Sequence, residues 1–247
     1  MRDNIRWFRE LTPEQQPSAG GKGGTLARLY QAGYPVPDGF VILPTAFDGD
    51  QLTPEAWAQV RECLAHLRQA GGQTFFAIRS SALSEDSPRA SFAGEFETVL
   101  GVEAGDVLRE AIHTVRRSRR SERVRAYSAA RGLDHVSEMA VVVQRLVPAD
   151  LSGVLFTADP VSGSRGLMTG NYVHGLGDKL VSGAVTPFGF SLSRPKGRYD
   201  GPKELGRFAR RLFKLAKRLE KELGCPQDIE WAIAGRQLYL LQSRPIT

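Results

Sequence analysis

An α+β fold in two lobes follows from three features of the chain. Apolar runs of strand length are interspersed with longer stretches whose apolar residues recur at helical spacing. Near the middle, the apolar strand Met139–Val147 is stopped by Pro148, a natural linker. At the end, two alternating runs flank Ala234-Gly235-Arg236, the pattern of a β-hairpin. The 247 residues suffice to bury a substantial core, in one large or two small closely packed domains. We place the lobes at 1–147 and 148–247.

Taken in order, the first element is a glycine run, Gly20-Gly21-Lys22-Gly23-Gly24, entering a helix marked by Leu26, Leu29 and Tyr30 and stopped by Gly33. Such an entry exposes backbone N–H groups, and Lys22 adds a mobile positive charge suited to phosphate. The run is not a Walker A loop, and a flexible turn with an exposed lysine fits it equally well. Val36–Ile42 reads as a turn into a buried strand. Thr53-Pro54-Glu55 opens a helix with Trp57, Val60, Leu64 and Leu67 inward, ended by Gly71-Gly72. Phe75–Ser81 is an apolar strand ending in Arg79 and two hydroxyls, which makes Arg79 a candidate phosphate clamp. A loop holding Ser91 and Gly94 leads to a strand with Thr98, and this strand–loop–strand has groups to fold over a triphosphate. Helical spacing runs from Asp106 to Ala130. Strands follow at Met139–Val147, Gly153–Thr157 and Leu167–Val173. Pro202 opens the last long helix, Gly224 closes it, and its basic outer side reads as a solvated face.

The terminal hairpin carries the most chemistry. Alternation puts Asp228, Glu230 and Ala232 on one face and Ile229, Trp231 and Ile233 on the other. Gln242 and Arg244 share a face of the second strand, and folding back about Gly235 can bring them close to Glu230. Two carboxylates, an amide oxygen and a guanidinium would then meet at the open end of one hairpin. Oxygen ligands suit a hard cation such as Mg²⁺, and a planar guanidinium suits phosphate oxygens. A polar outer face of an edge hairpin is the plainer reading of the same residues.

Composition is that of a soluble globular protein. The two cysteines, Cys63 and Cys225, match no metal or redox spacing and suggest a reduced, cytoplasmic setting. No apolar run is long enough to span a membrane. The net charge of +6 gathers in two basic stretches, Arg116–Arg125 and Arg194–Lys221, without any nucleic-acid-binding signature, so nucleic acid is an unlikely partner. His113 and His135 have no neighbouring partner in sequence and read as structural.

Five blocks in order, GGKGGTLARLYQAGYPVPDG, IRSSALSEDSPRASFAGEFETVLGV, VVVQRLVPADLSGVLFTADPVSG, GLGDKLVSGAVTP and PQDIEWAIAGRQLYLLQSRPIT, resemble the nucleotide-binding domain of the phosphoenolpyruvate synthase and pyruvate phosphate dikinase family. The resemblance runs almost end to end. It implies an ATP-grasp-like fold whose two lobes close over ATP and Mg²⁺. It casts Lys22 and Arg79 as phosphate-binding cations with a catalytic role shared by Arg244. Ser91, Gly94 and Thr98 fall in the phosphate loop, and Gln144, Arg145, Leu146 and Val147 in the hinge beside adenine. Glu230 and Gln242 become the metal-side ligands, with Asp228 and Arg244 completing the pocket.

In such enzymes this domain charges a histidine on a swivelling domain, so the resemblance implies a phosphohistidine-domain partner or further C-terminal domains. Neither His66, His113, His135 nor His174 lies in a Thr-Ser-His-like context. Phe188 stands where an aspartate is common. Glu95 replaces a usual glutamine and would repel an incoming phosphate charge by about 4 kcal/mol at ~4 Å and an effective dielectric of about 20. The leading expectation is an ATP- and Mg²⁺-binding phosphoryl-transfer domain that hands its group to a histidine elsewhere. A stand-alone small-molecule kinase and a non-catalytic nucleotide-binding regulatory module are the alternatives.

Overall fold

The computed structural model describes residues 4–69, 74–83, 97–122, 124, 138–177 and 185–246. The chain is α+β, as expected, and divides into two compact units, Met1–Leu146 and Val147–Thr247.

The first unit is built on an antiparallel five-stranded sheet of β1 (Ile5–Trp7), β2 (Gly39–Ile42), β5 (Phe76–Ala82), β6 (Thr98–Val102) and β7 (Met139–Arg145), in the order β1-β2-β7-β5-β6. A small hairpin, β3 (Phe47–Asp48) and β4 (Gln51–Leu52), stands beside it. Strands β2, β5 and β7 are almost wholly buried, which explains why they read as continuous apolar runs without clean alternation. On one face Phe40, Ile42, Phe76, Ile78, Val141 and Val143 pack with helices α2 (Pro54–Gln69) and α3 (Asp106–Arg117) into one apolar cluster. Helix α1 (Gly20–Gln31) covers the other face, where a side chain at Gly23 would touch Val41 and Ser81.

Two expectations change here. The glycine run is not a loop before a helix but the first turn and a half of α1 itself. Its glycines serve close approach: a Cβ at Gly20 would lie 2.3 Å from the Ser81 carbonyl oxygen, and one at Gly24 3.1 Å from that of Gln16. The helix expected over 106–130 ends at Arg117, followed by a 3₁₀ turn at Ser118–Arg120. Residues 125–130 lie outside the described part of the chain, as do His135, Ser91, Gly94 and Glu95.

The second unit is an antiparallel six-stranded sheet in the order β11-β10-β9-β8-β12-β13. Its strands are β8 (Leu151–Phe156), β9 (Leu167–His174), β10 (Phe188–Ser193), β11 (Arg198–Asp200), β12 (Gln227–Ala234) and β13 (Gln237–Pro245), with helix α4 (Lys203–Leu223) against one face. Strands β1, β10 and β11 are absent from the sequence reading, being short or only partly buried. Fully buried Trp231 centres the core, with the Tyr172 and Phe190 rings 6.4 and 6.1 Å away. Gly153 and Gly170 make room for it: a Cβ on Gly153 would come within 2.8 Å of the indole, and one on Gly170 within 2.5 Å of Phe190. Gly224, in the left-handed region at φ 77°, ends α4 as its sequence suggests. Among the described residues no helix is long and apolar enough to cross a membrane.

His113 behaves as the structural residue it was read to be. It is buried on α3, and its Nε2 accepts the Leu52 N–H at 3.3 Å. Burial holds its pKa below the ordinary histidine value, opposed by Glu110 and aided by Arg109 and Arg117. The unfolded chain therefore takes up a proton first. Stability should begin to fall as pH drops through about 6.5 and stop falling once the folded histidine is also protonated. Urea denaturation between pH 8 and 5 should show this loss, and His113→Gln should flatten it.

Candidate functional site

In the first unit, the strand β5 and the start of α1 bring cations to one face. Alternation along β5 puts Ala77, Arg79 and Ser81 on the α1 side of the sheet. Lys22 projects from the first turns of α1, and its Nζ donates to the Ser80 carbonyl at 3.0 Å. Lys22 and Arg79 are each only 8% exposed, so Lys22 is a held ammonium rather than the mobile one expected.

Ser81 holds this arrangement, and the sequence reading missed its part. Its Oγ accepts the Gly23 N–H at 2.8 Å and donates to the Ala19 carbonyl at 2.7 Å. Those two backbone groups are the pair that closes an ordinary first helical turn. One buried hydroxyl thus ties the helix start to the strand that carries Arg79. The available signal was a double serine following a buried run.

Thr98 pairs directly with Arg79 across β5 and β6 and is exposed. Gln144 lies on the same sheet face, but its amide donates to the Pro37 carbonyl at 3.0 Å and is 2% exposed. Backbone N–H groups of Arg145 and Leu146 donate to the carbonyls of Asp38 and Phe75. The segment expected to border adenine is therefore tied into the sheet through Gln144, Arg145 and Leu146, and Val147 follows as the first residue of the second unit.

In the second unit the hairpin forms as read, with Glu230 opposite Gln242 and Asp228 opposite Arg244. A β-bulge produces that match. From the turn, Ala234 faces Gln237 and Trp231 faces Leu240, and the register then shifts by one so that Glu230 faces Gln242. An unbroken ladder would instead set Glu230 against Leu241 and turn Gln242 and Arg244 to the Trp231 side. The extra residue, Leu241, moves both polar side chains to the face that α4 leaves uncovered.

The Arg244 Nε and Nη2 both donate to Asp228 Oδ2, at 2.9 and 2.7 Å. Asp228 is 7% exposed, and its other oxygen, Oδ1, is buried with no hydrogen-bond partner among the described residues. Burial raises the Asp228 carboxyl above its ordinary value; Arg244 opposes the rise and Glu230 adds to it. Below Asp228 the hairpin base is locked by a reciprocal pair, Gln227 N–H to Thr157 Oγ1 at 2.8 Å and Thr157 N–H to the Gln227 carbonyl at 2.9 Å. Ser243 donates to Gln227 Oε1 at 2.9 Å in the same network.

An unsatisfied buried carboxylate oxygen is costly unless something occupies it. With Glu230 and the Gln242 amide in register beside it, the donor set is all oxygen and fits a hard divalent cation that takes its remaining ligands from water or phosphate. Among the described residues no group of three or more His, Cys, Asp and Glu forms a metal cage. Phe188, at a position read as unusual, is 45% exposed and stacks on Tyr172, with ring centroids 5.3 Å apart.

The family model described as pyruvate phosphate dikinase, AMP/ATP-binding domain matches residues 43–205 and 202–247. Similar curated proteins include a probable phosphoenolpyruvate synthase of Archaeoglobus fulgidus, 30% identical over 98% of this chain and 41% of that protein. A rifampicin phosphotransferase of Streptomyces sviceus is 31% identical over 97% of this chain and 35% of its own. The chain thus spans less than half the length of either relative. Among solved structures, D-alanyl-alanine synthetase A from Vibrio cholerae aligns with 94% of this chain and 57% of its own at a TM-score of 0.48 and 11% identity, too distant to transfer residue roles.

Two substitutions check the two constellations. Ser81→Ala leaves Gly23 N–H and Ala19 C=O without the hydroxyl and should cost about 1–3 kcal/mol in chemical denaturation. Arg244→Ala leaves Asp228 buried beside Glu230 without its guanidinium and should cost about 2–3 kcal/mol, the low end for a buried pair because Arg244 is partly exposed.

Proposed function

The chain belongs to the pyruvate phosphate dikinase AMP/ATP-binding domain family, and we propose that it binds ATP with Mg²⁺ and passes a phosphoryl group to a histidine on another domain or chain. The bulged register of the terminal hairpin carries this reading, because it sets Asp228, Glu230, Gln242 and Arg244 on one sheet face with a carboxylate oxygen left over. In the second unit Asp228, Glu230 and Gln242 hold the cation, and Arg244 contacts phosphate oxygen while orienting Asp228. Bound Mg²⁺ would neutralise phosphate charge. In the first unit Lys22 and Arg79 supply further positive charge, with Ser91, Gly94 and Thr98 as phosphate-loop contacts. Gln144–Val147 supports the base through backbone and aliphatic surface, since the Gln144 amide is already engaged with Pro37.

Catalysis under this reading is electrostatic and positional. The acceptor nitrogen attacks the β-phosphorus. The bond to the α–β bridging oxygen breaks, AMP departs with that electron pair, and water later releases the γ-phosphoryl as inorganic phosphate. Lys22, Arg79 and Arg244 offset the negative charge gathering on the phosphoryl oxygens. The relatives named phosphoenolpyruvate synthase favour this acceptor. The relatives named rifampicin phosphotransferase favour a second reading, transfer to a small molecule. A cytoplasmic setting accords with both.

Isothermal titration with ATP should show binding that depends on Mg²⁺. Binding should weaken as pH falls toward the raised Asp228 pKa, because protonation removes a ligand charge. Lys22→Ala and Glu230→Gln should each weaken binding about 10–100-fold, equivalent to roughly 1.4–2.8 kcal/mol. Unchanged affinity in both would overturn the assignment. With an acceptor domain supplied, AMP and inorganic phosphate mark the histidine route, and transfer to an added small molecule without that domain marks the second.

A further inference from the structure

The whole net charge of the chain resides in its second unit. Residues 1–146 contain eighteen Lys and Arg against eighteen Asp and Glu, whereas residues 147–247 contain fifteen against nine. Most of the excess lies on α4, which holds eight basic and three acidic residues. Arg207, Arg210, Arg211, Lys214, Lys217, Arg218 and Lys221 follow one another at spacings of one and three residues and are all exposed. They form a single stripe rising about 21 Å along the helix axis at ~1.5 Å per residue.

A merely solvated helix face gains from acids placed three or four residues from its bases. Between positions 205 and 219 α4 has none, so the bases of its middle turns, Arg210, Arg211 and Lys214, repel each other. Of the three acids outside that span, Glu204 is engaged by Tyr172 and Glu220 by Arg194, while exposed Glu222 stands four residues from Arg218 at the end of the stripe. Arg211 donates to the Arg236 carbonyl at 2.6 Å, which keeps a further exposed arginine at the hairpin turn beside the stripe. No exposed side chain between 205 and 219 is apolar; Leu205, Phe208, Leu212, Phe213, Leu215 and Leu219 are buried in the fold.

Although no nucleic-acid-binding signature accompanies the charge in the sequence, we propose that this outward face of α4 is a binding surface for the phosphodiester backbone of nucleic acid, read by charge and not by base sequence. The lack of an exposed apolar anchor disfavours a protein partner, whose interface centres on desolvated aromatic or aliphatic residues. Because the apolar side of α4 is committed to its own sheet, it cannot enter a lipid surface as an amphipathic helix does. A duplex segment of the same length carries about twelve phosphates, of which about half face any one side. The surface lies across the sheet from Asp228 and Glu230, so it is independent of the nucleotide reading.

Fluorescence anisotropy with labelled 20-residue duplex DNA, duplex RNA and single-stranded RNA tests this on the full chain. With about five phosphates neutralised on a duplex, affinity should fall roughly 500-fold between 50 and 200 mM salt. The triple variant Arg210→Gln, Lys214→Gln, Lys221→Gln should reduce the log–log salt slope by about 2.7 while ATP affinity stays unchanged. The three probes separate RNA from DNA as the source of the phosphates. No binding at 50 mM salt, or an unaltered slope in the triple variant, would overturn the proposal. So would tighter binding of labelled polyglutamate than of any of the three nucleic acids at equal charge, which would make the stripe a surface for acidic protein.

Discussion

One extra residue in the last strand decides the chemistry of the second unit. Side chains alternate along a strand with period two, so Gln242 and Arg244 begin on the same side as Leu238 and Leu240, facing the core. The bulge at Leu241 reverses their direction without disturbing β12, which keeps its regular pairing with β8 from Asp228 to Ile233. Apolar residues near the turn therefore stay under α4, while polar residues near the open end reach the opposite face. Neither set is compromised to place the other.

The first unit solves a related problem with glycines. A helix lies close enough to a sheet for a lysine at its start to be held by a strand carbonyl only if the helix surface is bare at the contact. Gly20 and Gly23 meet that condition, and Ser81 joins the helix start to the strand by hydrogen bonds. Lys22 is held near the strand that carries Arg79 by these contacts, and its position is set before any ligand arrives.

Much of this was legible in the sequence, for reasons that differ by element. The hairpin, α2 and α4 show because their caps, turns and periodicity agree with one another: Pro54 and Gly224 punctuate helices, and Gly235 turns the ribbon. Strands β1, β10 and β11 escape because three to six partly buried residues carry too little pattern. The glycine run misleads because glycine usually signals a loop, and only the nearness of Ser81 shows that it serves packing. The bulge leaves no local mark. The correct pairing of Glu230 with Gln242 is reached from chemistry, while alternation alone predicts the reverse face. Gln144 illustrates the limit in the other direction, since no local pattern announces that its amide is bound to Pro37.

Trp231 adds a practical property to the same strand. It is the sole indole of residues 147–247, is fully buried, and follows Glu230 immediately, its ring on the reverse side of the sheet. A change of charge or ligation at Glu230 would therefore alter the electric field at the adjacent ring. Excited near 295 nm, an excerpt of the chain containing this unit would have a built-in optical gauge of the carboxylate next door, with no extrinsic dye.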